Sequence, residues 1–269
     1  MTYNFVRKPL LRYSTTWVLA LCLTGSAASL HAQVGSEAAA PTVPDWALPG
    51  SPTHTQVPPP ADFHRASRTT DTPIGIFQGQ SDVGAAVVPG SATYDAASKQ
   101  YTIHSAGYNI WYSRDEFRYL WKKMSGDISL GADVTFPNAN GYGDRKAVLV
   151  IRQSLEDDSK EVVVGEHGVG MIHLAERPDT GAMMKDMQFR FGGMINGVMA
   201  KRIGIEKHGN AVTLYVSLKG EPMHPLGPPV EVPFSEPFYV GIGFCSHLPA
   251  TSDTAILSNV VLVNAPGKL

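Results

Sequence analysis

Cysteine is scarce in this sequence, which contains only Cys22 and Cys245 among its 269 residues. Cys22 lies in an N-terminal segment that we predict to be removed, so that only Cys245 would remain. A single cysteine forms no internal disulfide, and Cys245 stands in a strand-like pattern as a small apolar residue. The folded part must therefore be stabilised by its hydrophobic core, and the chain is long enough to form one.

Long apolar runs are also absent. The N-terminal run at residues 17–23 is far shorter than the ~20 residues that a membrane-spanning helix needs. It follows three basic residues and precedes a series of small residues, which is the order typical of a secretory signal peptide. We therefore predict a signal peptide over residues 1–32, cleaved after Ala28 or Ala32. The mature chain would be exported, either periplasmic or secreted, and would have no membrane span.

Basic residues are not in excess. The chain has 22 Lys and Arg against 24 Asp and Glu, and signal cleavage would leave 19 basic residues. A mildly acidic domain is a poor match for nucleic acid or for an anionic membrane surface. No G-x-G-x-x-G, phosphate loop, G-x-S-x-G or EF-hand motif occurs. These absences argue against nucleotide cofactors and against a serine nucleophile elbow.

Residues 33–73 lack apolar periodicity. Eight of the 20 prolines lie there, and Ala, Ser and Thr supply much of the remainder. Such a segment buries too little apolar surface to offset the entropy lost on ordering, so we predict a disordered, Pro-rich linker. We interpret Trp46, within this linker, as an exposed ring rather than a docking motif.

Helical periodicity is nearly missing from residues 74–266, which we predict to be the folded domain. Short runs of β-branched and aromatic residues recur there between turn signals. Residues 128–136 alternate apolar and polar side chains, as in a half-buried strand. Residues 147–153 are largely apolar on both faces, which is typical of a central strand.

Two hairpins are predicted around the glycine-containing turns at residues 165–170 and 208–210. Residues 239–244 and 255–263 indicate two further strands. About a dozen short strands without intervening helices predict an all-β fold, in which two antiparallel sheets pack face to face as a sandwich.

The stretch at residues 108–127 holds two of the four tryptophans and three of the ten tyrosines. Phe117, Tyr119 and Trp121 recur with a period of two, which places three rings on one face of a strand. Such a face fills the core between two sheets or lines a groove. We interpret Trp121 as a core residue and leave both alternatives open for Trp111.

Several short segments together form a recognisable pattern. They are G-Q-S-D-V-G at 79–84, G-S-A-T-Y-D at 90–95, N-I-W at 109–111, the segment 117–127, I-R-Q-S at 151–154, G-I-G at 241–243, C-S-H at 245–247 and S-N-V at 258–260. The pattern resembles the concanavalin A-like lectin/glucanase superfamily, and more narrowly the exported bacterial domains found beside TolB-like β-propellers. The resemblance covers nearly all of residues 74–265.

This resemblance implies a jelly-roll sandwich with one concave and one convex sheet. Relatives in the superfamily bind glycans, cleave them or have no assigned role. No propeller repeat occurs in this chain. A propeller partner would therefore be a separate envelope protein.

The strongest enzymatic candidate is the acidic segment at residues 156–161. Its E-x-D-x-x-E spacing is similar to the catalytic signature of laminarinase-like glycoside hydrolases, in which Glu156 would be the nucleophile, Glu161 the acid and Asp158 the residue between them. Retaining hydrolysis needs two carboxyl groups about 5 Å apart. The intervening positions are apolar in those enzymes but polar here, so we favour a solvated turn between two strands and predict no catalytic residue.

Metal-ligating patterns are weak. His167 and His173 are six residues apart, which is not a usual zinc spacing, so we interpret them as a surface turn histidine and a strand histidine. Calcium is the cofactor that the lectin-like resemblance leaves open, because Asp and Asn oxygens at turns bind it. Its weak candidates are Asp82, Asp127 and Asn259, and we otherwise predict no cofactor.

Sugar-binding chemistry is better represented. Aromatic rings stack on the apolar faces of pyranose rings, while amide, carboxylate and guanidinium groups bind the hydroxyls. The candidate binding residues are Asn109, Trp111, Tyr112, Arg114, Trp121, Lys122, Arg152, Gln153 and His247. Structural alternatives exist for several of them. Lys122 also suits a solvated sheet edge, and Arg152 suits an ion pair with a carboxylate such as Asp127.

The sequence therefore predicts an exported, non-catalytic, lectin-like module that binds a glycan or cell-envelope polysaccharide. One alternative is a glycoside hydrolase on the same fold, which requires two carboxylates that converge in the concave groove. The other is a cell-envelope protein-interaction domain, which requires an exposed apolar patch without a polar-lined groove.

Overall fold

A computed structural model of the chain describes residues 64–192 and 197–269. The predicted signal peptide, Trp46 and most of the predicted linker lie outside the described residues. Within the described ranges, no helix is long and apolar enough to cross a membrane.

The described residues form short strands joined by turns. Their bounds are β1 Arg68–Thr70, β2 Gly79–Val83, β3 Ser91–Asp95, β4 Gln100–Ser105, β5 Ile110–Trp111, β6 Arg114–Asp115, β7 Phe117–Met124, β8 Ile128–Thr135, β9 Lys146–Arg152, β10 Glu161–His167, β11 Met171–Arg177, β12 Lys185–Arg190, β13 Arg202–His208, β14 Ala211–Ser217, β15 His224–Pro225, β16 Val230–Glu231, β17 Phe238–Cys245 and β18 Asp253–Val263.

These strands build two large antiparallel sheets and one small ribbon. The front sheet has the order β1-β2-β7-β17-β9-β10-β11-β12. The back sheet has the order β15-β14-β13-β8-β18-β4-β3, and β16 also pairs with β14. β5 and β6 form a separate two-stranded ribbon. The predicted all-β class and the two-sheet antiparallel sandwich are confirmed.

The main core lies between the two sheets. Leu149 and Ile151 of β9 and Val164 of β10 point into it from the front sheet, where they join residues such as Leu130 and Ile205 of the back sheet in one buried cluster. Because side chains of a strand alternate between its faces, the other residues of β9 and β10 point away from this core. They form the outer face of the front sheet.

The strand predictions agree closely with the structure. β8 and β9 occupy the predicted segments, and β9 is central because it pairs with both β10 and β17. Both predicted hairpins form, β10 with β11 and β13 with β14.

The folded part begins earlier than the predicted boundary at residue 74. β1 lies within the predicted linker but pairs with β2 at the edge of the front sheet. Its three residues are exposed, and pairing through backbone hydrogen bonds needs no apolar side chain. For this reason, the composition of the segment gave no sign of a strand.

A second apolar layer covers the outer face of the front sheet. Phe117, Tyr119 and Trp121 belong to this layer, together with valines of β9 and β10 and Ile110 of the ribbon. The aromatic face of β7 therefore lies neither between the sheets nor in an open groove. It is buried beneath the loops that cross the front sheet, as the 4% exposure of Trp121 shows.

Candidate functional site

The outer face of β9, β10 and β11 is polar at both ends and carries valines in the middle. At one end Arg152 and Arg177 lie on either side of Glu161, and at the other end His167 lies opposite Lys146. Six residues of extended strand separate the two ends, which corresponds to about 20 Å. We call the first the closed end and the second the open end.

Four fully buried groups occupy the closed end. Asp115 of β6 joins the three strand residues, and Arg177 binds it with Nη2 to Oδ1 at 2.7 Å. Arg177 also binds Glu161 at 3.0 Å, and Arg152 lies 3.2 Å from Glu161 and 3.4 Å from Asp115. All four side chains have no exposed surface, so no ligand reaches them. Their contacts attach the β5–β6 ribbon to the front sheet.

The protonation of this cluster follows from its burial and its charges. Burial, together with the neighbouring Asp115, raises the pKa of Glu161 to about 8. Burial also acts to raise the pKa of Asp115, but the Arg177 and Arg152 guanidiniums hold it below its ordinary value. The cluster is therefore a buried ion-pair network that includes one carboxyl of reduced acidity.

The acidic segment lies beside this closed end. A turn joins β9 to β10 as predicted, and Glu156 is exposed on it. The segment is not solvated throughout, however, because Asp157, Ser159 and Glu161 are buried. Asp158 lies 3.9 Å from Arg114. An exposed Glu156 and an enclosed Glu161 do not form a catalytic carboxyl pair open to substrate.

A cavity of about 180 Å³ lies at the open end. Antiparallel pairing brings the starts of β9 and β11 beside the ends of β10, β12 and β17, and the ribbon supplies the remaining wall. The lining residues are Asn109, Trp111, Asp144, Lys146, His167, Met171, Gln188, Arg190 and His247.

Lys146 is the most enclosed cation of this cavity, with 2% of its surface exposed. Its ammonium donates a hydrogen bond to Asn109 Oδ1 at 2.7 Å and lies 5.2 Å from the centre of the Trp111 ring. Burial lowers the pKa of Lys146 to about 8. Within the described ranges, no carboxylate lies within ion-pair distance of it.

Two histidines meet beneath the cavity. His167 Nε2 lies 2.9 Å from His173 Nδ1, and His167 Nδ1 lies 3.7 Å from Asp144. Burial lowers the pKa of both histidines well below the ordinary value, so both rings are neutral near pH 7. The expectation that His167 is a surface residue was wrong, since it is only 4% exposed.

Gly165 explains how His173 fits on the strand face. The two residues are cross-strand partners, and a Cβ at Gly165 would lie 2.6 Å from His173 Nε2. A glycine opposite a histidine in a predicted hairpin was the available signal for a buried ring, and the sequence analysis missed it.

Aromatic groups and strained backbone border the other side. His247 stacks on Tyr142 with ring centres 5.3 Å apart, and Tyr108 lies 6.3 Å from it. His247 has φ +64° and Tyr112 has φ +50°, a region that non-glycine residues rarely adopt. Such strain often accompanies functional sites because the surrounding structure must maintain it.

Three of the predicted binding residues, Asn109, Trp111 and His247, line this cavity together. Tyr112 is buried next to Trp111, and its carbonyl accepts a hydrogen bond from Arg177. Arg114 lies toward the closed end, where its guanidinium is 2.7 Å from His64 Nε2.

The other four predicted binding residues lie elsewhere. Trp121 is enclosed and donates to Ser81, while Arg152 belongs to the closed end and pairs with Asp115 rather than Asp127. Gln153 exchanges two hydrogen bonds with the Ser235 backbone. Lys122 is half-exposed on β7 and does not line the cavity. Trp121 and Arg152 are separated from the cavity by the covered outer face, whereas Lys122 and Gln153 follow the strand alternation to the opposite face of the sheet.

The calcium candidates each bind protein groups. Asp82 pairs with Arg118 at 3.1 Å, Asp127 accepts from the Gly209 amide, and Asn259 donates to Asp133. They lie on different elements. A compact group of metal-ligating types occurs instead at His64, Asp157 and Asp158.

The Arg114 guanidinium lies directly against this last group, at 2.7 Å from His64 Nε2. Arg114 therefore already supplies a positive charge beside this group. The prediction about calcium stays a prediction.

Comparison with known proteins bears on the fold. No protein-family model matches the chain, and no curated protein matches its sequence. A functionally unknown protein from Saccharomyces cerevisiae is similar in structure, with a TM-score of 0.50 and 13% identity over 66% of this chain and 93% of the other.

Two weaker similarities are to a carbohydrate-binding module and to a lectin-like domain. Carbohydrate-binding module CBM66 from Bacillus subtilis has a TM-score of 0.41 and 13% identity over 74% of this chain and 96% of the module. A legume lectin-like domain from Entamoeba histolytica has a TM-score of 0.43 and 9% identity over 66% and 89%. At such identities the likeness concerns the fold alone. The two-sheet sandwich that the superfamily resemblance implied is present, while the narrower likeness to domains beside TolB-like propellers stays a prediction.

Proposed function

We propose that this protein is an exported glycan-binding module and that the open-end cavity holds one sugar residue. The observation that carries the proposal is the composition of the cavity. The Trp111 ring lies beside the Asn109 amide, the Lys146 ammonium and the His247 ring. An aromatic face for the sugar ring and polar groups for its hydroxyls are what sugar recognition needs.

The size of the cavity indicates what part of a glycan it takes. Its volume of about 180 Å³ is below the roughly 300–1,000 Å³ typical of drug-sized ligand pockets. The occupant is therefore a single ring, such as a chain end or a branch, rather than several residues lying along a groove.

The carboxyl groups favour binding over hydrolysis. Glycoside hydrolases use two carboxyl groups at the scissile bond. Among the residues described at the cavity, Asp144 is the only carboxylate in the lining. Glu161, the acid of the hydrolase alternative, is enclosed at the other end of the strands.

Export and an envelope partner belong to the same proposal. Export is supported by the N-terminal sequence alone, and a separate envelope protein by the resemblance. A polar-lined cavity favours glycan binding over the protein-interaction alternative, which requires an apolar patch.

A glycan array probed with the purified protein, with and without calcium, tests the proposal. We expect selective retention of a small set of glycans, and loss of that retention in Trp111→Ala. The matched control is Tyr215→Ala, which removes a partly exposed ring from β14 of the back sheet. Absence of binding to every glycan, or equal binding by Trp111→Ala and the wild type, would overturn the proposal.

A further inference from the structure

We infer that the sugar bound at the open end carries a carboxylate, as a uronic acid does, and that the Lys146 ammonium is its counter-ion. This inference rests on the proposed function and gives the chemical class of its ligand. It follows from the charges of the cavity.

The isolation of Lys146 is the first argument. Its hydrogen-bond partner, Asn109 Oδ1, is neutral, and so are two further neighbours, the Trp111 ring and the cross-strand Cys245 thiol, whose pKa burial raises to about 12. A buried ammonium without a carboxylate is unfavourable, and proteins normally pair such a charge. The same strands do so at the closed end, where each arginine has two carboxyl partners. A ligand anion would supply the partner that Lys146 lacks.

The sign of the surrounding charge is the second argument. Arg190 and His247 line the cavity with Lys146, whereas Asp144 is the single carboxylate that the described residues place there. The Asp144 side chain is 41% exposed and lies 3.7 Å from His167, so it occupies the more solvated part of the wall. In the enclosed part the charged group is the Lys146 ammonium, and Arg190 adds a second positive charge on the exposed side, so the cavity favours an anion.

Geometry is the third argument. The Lys146 ammonium lies 5.2 Å from the centre of the Trp111 ring. His173 also lies 5.6 Å from this ring, and we expect a pyranose stacked on the part that stays exposed to bring a substituent carboxylate toward the ammonium. The neutral His167 ring and the Asn109 amide can then form hydrogen bonds with the hydroxyl groups of the sugar.

Calorimetric titration against paired sugars tests the inference. The probes are glucuronic, galacturonic and mannuronic acid, each compared with its neutral hexose at pH 6.5. We expect at least one uronic acid to bind about tenfold or more tightly than its hexose, since one charge-assisted hydrogen bond is lost in the neutral sugar. Lys146→Met should abolish this preference while retaining a similar chain length.

Lys207→Met is the matched control. Lys207 is also a buried lysine, 6% exposed, and its ammonium lies 5.0 Å from the Phe238 ring and donates to the Gly126 carbonyl. It does not line the cavity. We expect this variant to keep the preference for the acid.

The pH profile of the wild type is a second measurement that needs no variant. Burial lowers the pKa of Lys146 to about 8, against the opposing influence of Cys245, Asp144, Asp115 and Asp186. The His167 and His173 rings that face it are neutral. Affinity for the uronic acid should therefore fall as pH rises from 7 to 9.5, while affinity for a neutral hexose changes little.

The two proposals fail differently. Equal affinity for acid and hexose, a preference kept by folded Lys146→Met, or a flat pH profile would overturn the carboxylate inference and leave glycan binding intact. Failure of every glycan on the array to bind would overturn the proposed function itself.

Discussion

At one end of the outer face of β9, β10 and β11, two arginines face two carboxyl groups, and all four side chains are fully buried. At the other end of the same strands, a buried lysine faces an amide and an indole ring at the wall of a cavity. Both ends hold ionised side chains under loops. At the closed end each arginine has carboxyl partners, whereas at the open end Lys146 has none among the described residues.

This difference separates a structural role from a binding role. Removing one member of a buried ion-pair network leaves an uncompensated charge, so such a network is retained for the integrity of the fold. For a buried charge without a protein counter-ion at the wall of a cavity, such as Lys146, we propose a role in binding what enters the cavity. The residue type and the strand face do not distinguish a structural from a binding cation. Arg152 and Lys146 are both basic residues on the same face of β9.

The largest expected effect is at the closed end. Asp115→Asn should lower the free energy of unfolding by about 3–5 kcal/mol, because both arginines lose a buried carboxylate. Urea denaturation followed by tryptophan fluorescence measures it. Asp179→Asn, whose side chain is 81% exposed and lies 3.6 Å from Lys160, is the control and should cost less than about 1 kcal/mol. Equal losses in the two variants would contradict a structural role for the cluster.

The next prediction compares two tryptophans, Trp121 in the covered apolar layer and Trp111 at the cavity. Trp121→Ala should cost about 3–5 kcal/mol, because Trp121 is 4% exposed within the second apolar layer. Trp111→Ala should cost less stability, since that ring is only partly buried, yet lose glycan binding. Thermal denaturation and array binding measured on both variants check this. A larger stability loss in Trp111→Ala than in Trp121→Ala would contradict the assignment of Trp121 to the apolar layer and of Trp111 to the cavity.

The third comparison concerns the pH dependence of stability and Glu166, which is on β10 like Glu161 but points to the inner face. Among the described residues no arginine pairs with it, and its Oε1 accepts a hydrogen bond from the Ala200 amide at 2.6 Å. Burial raises the pKa of Glu166 from 4.5 to about 8. The folded state therefore holds a proton that the unfolded state releases, and stability contributed by Glu166 is lost as pH rises through that window.

Glu166→Gln should remove this part of the pH dependence, because its amide stays neutral. We expect the variant to gain stability relative to the wild type between pH 5 and pH 8.5, measured by urea denaturation at several pH values. Glu156→Gln, on the exposed turn, should leave the wild-type slope unchanged. Parallel slopes in Glu166→Gln and the wild type would show that Glu166 ionises normally in the fold.

Much of the fold was predictable from local patterns. Alternation in residues 128–136 and the turn at residues 208–210 predicted β8 and the β13–β14 hairpin, because side-chain period and turn chemistry act over a few residues. The candidate site was predictable only in part. Asn109, Trp111 and His247 were proposed from their residue types, but Lys146, His167 and Arg190 were not.

The missed residues share a physical reason. Lys146 starts a strand whose remaining residues read as core, and its partner Asn109 lies 37 residues away. The predicted His247 also depends on a distant contact, since its ring stacks on Tyr142 across more than a hundred residues. Proximity of this kind depends on strand order and register, which local periodicity does not specify.

The amino-acid sequence by itself determined that this chain forms short strands with two distinct faces, because alternation and turn residues act locally. It also supplied the residue types of sugar recognition. Only the tertiary structure decided which face the loops cover and which buried charge receives a counter-ion. Both depend on contacts between residues distant in the chain, and such contacts form only when the sheets and the ribbon are assembled.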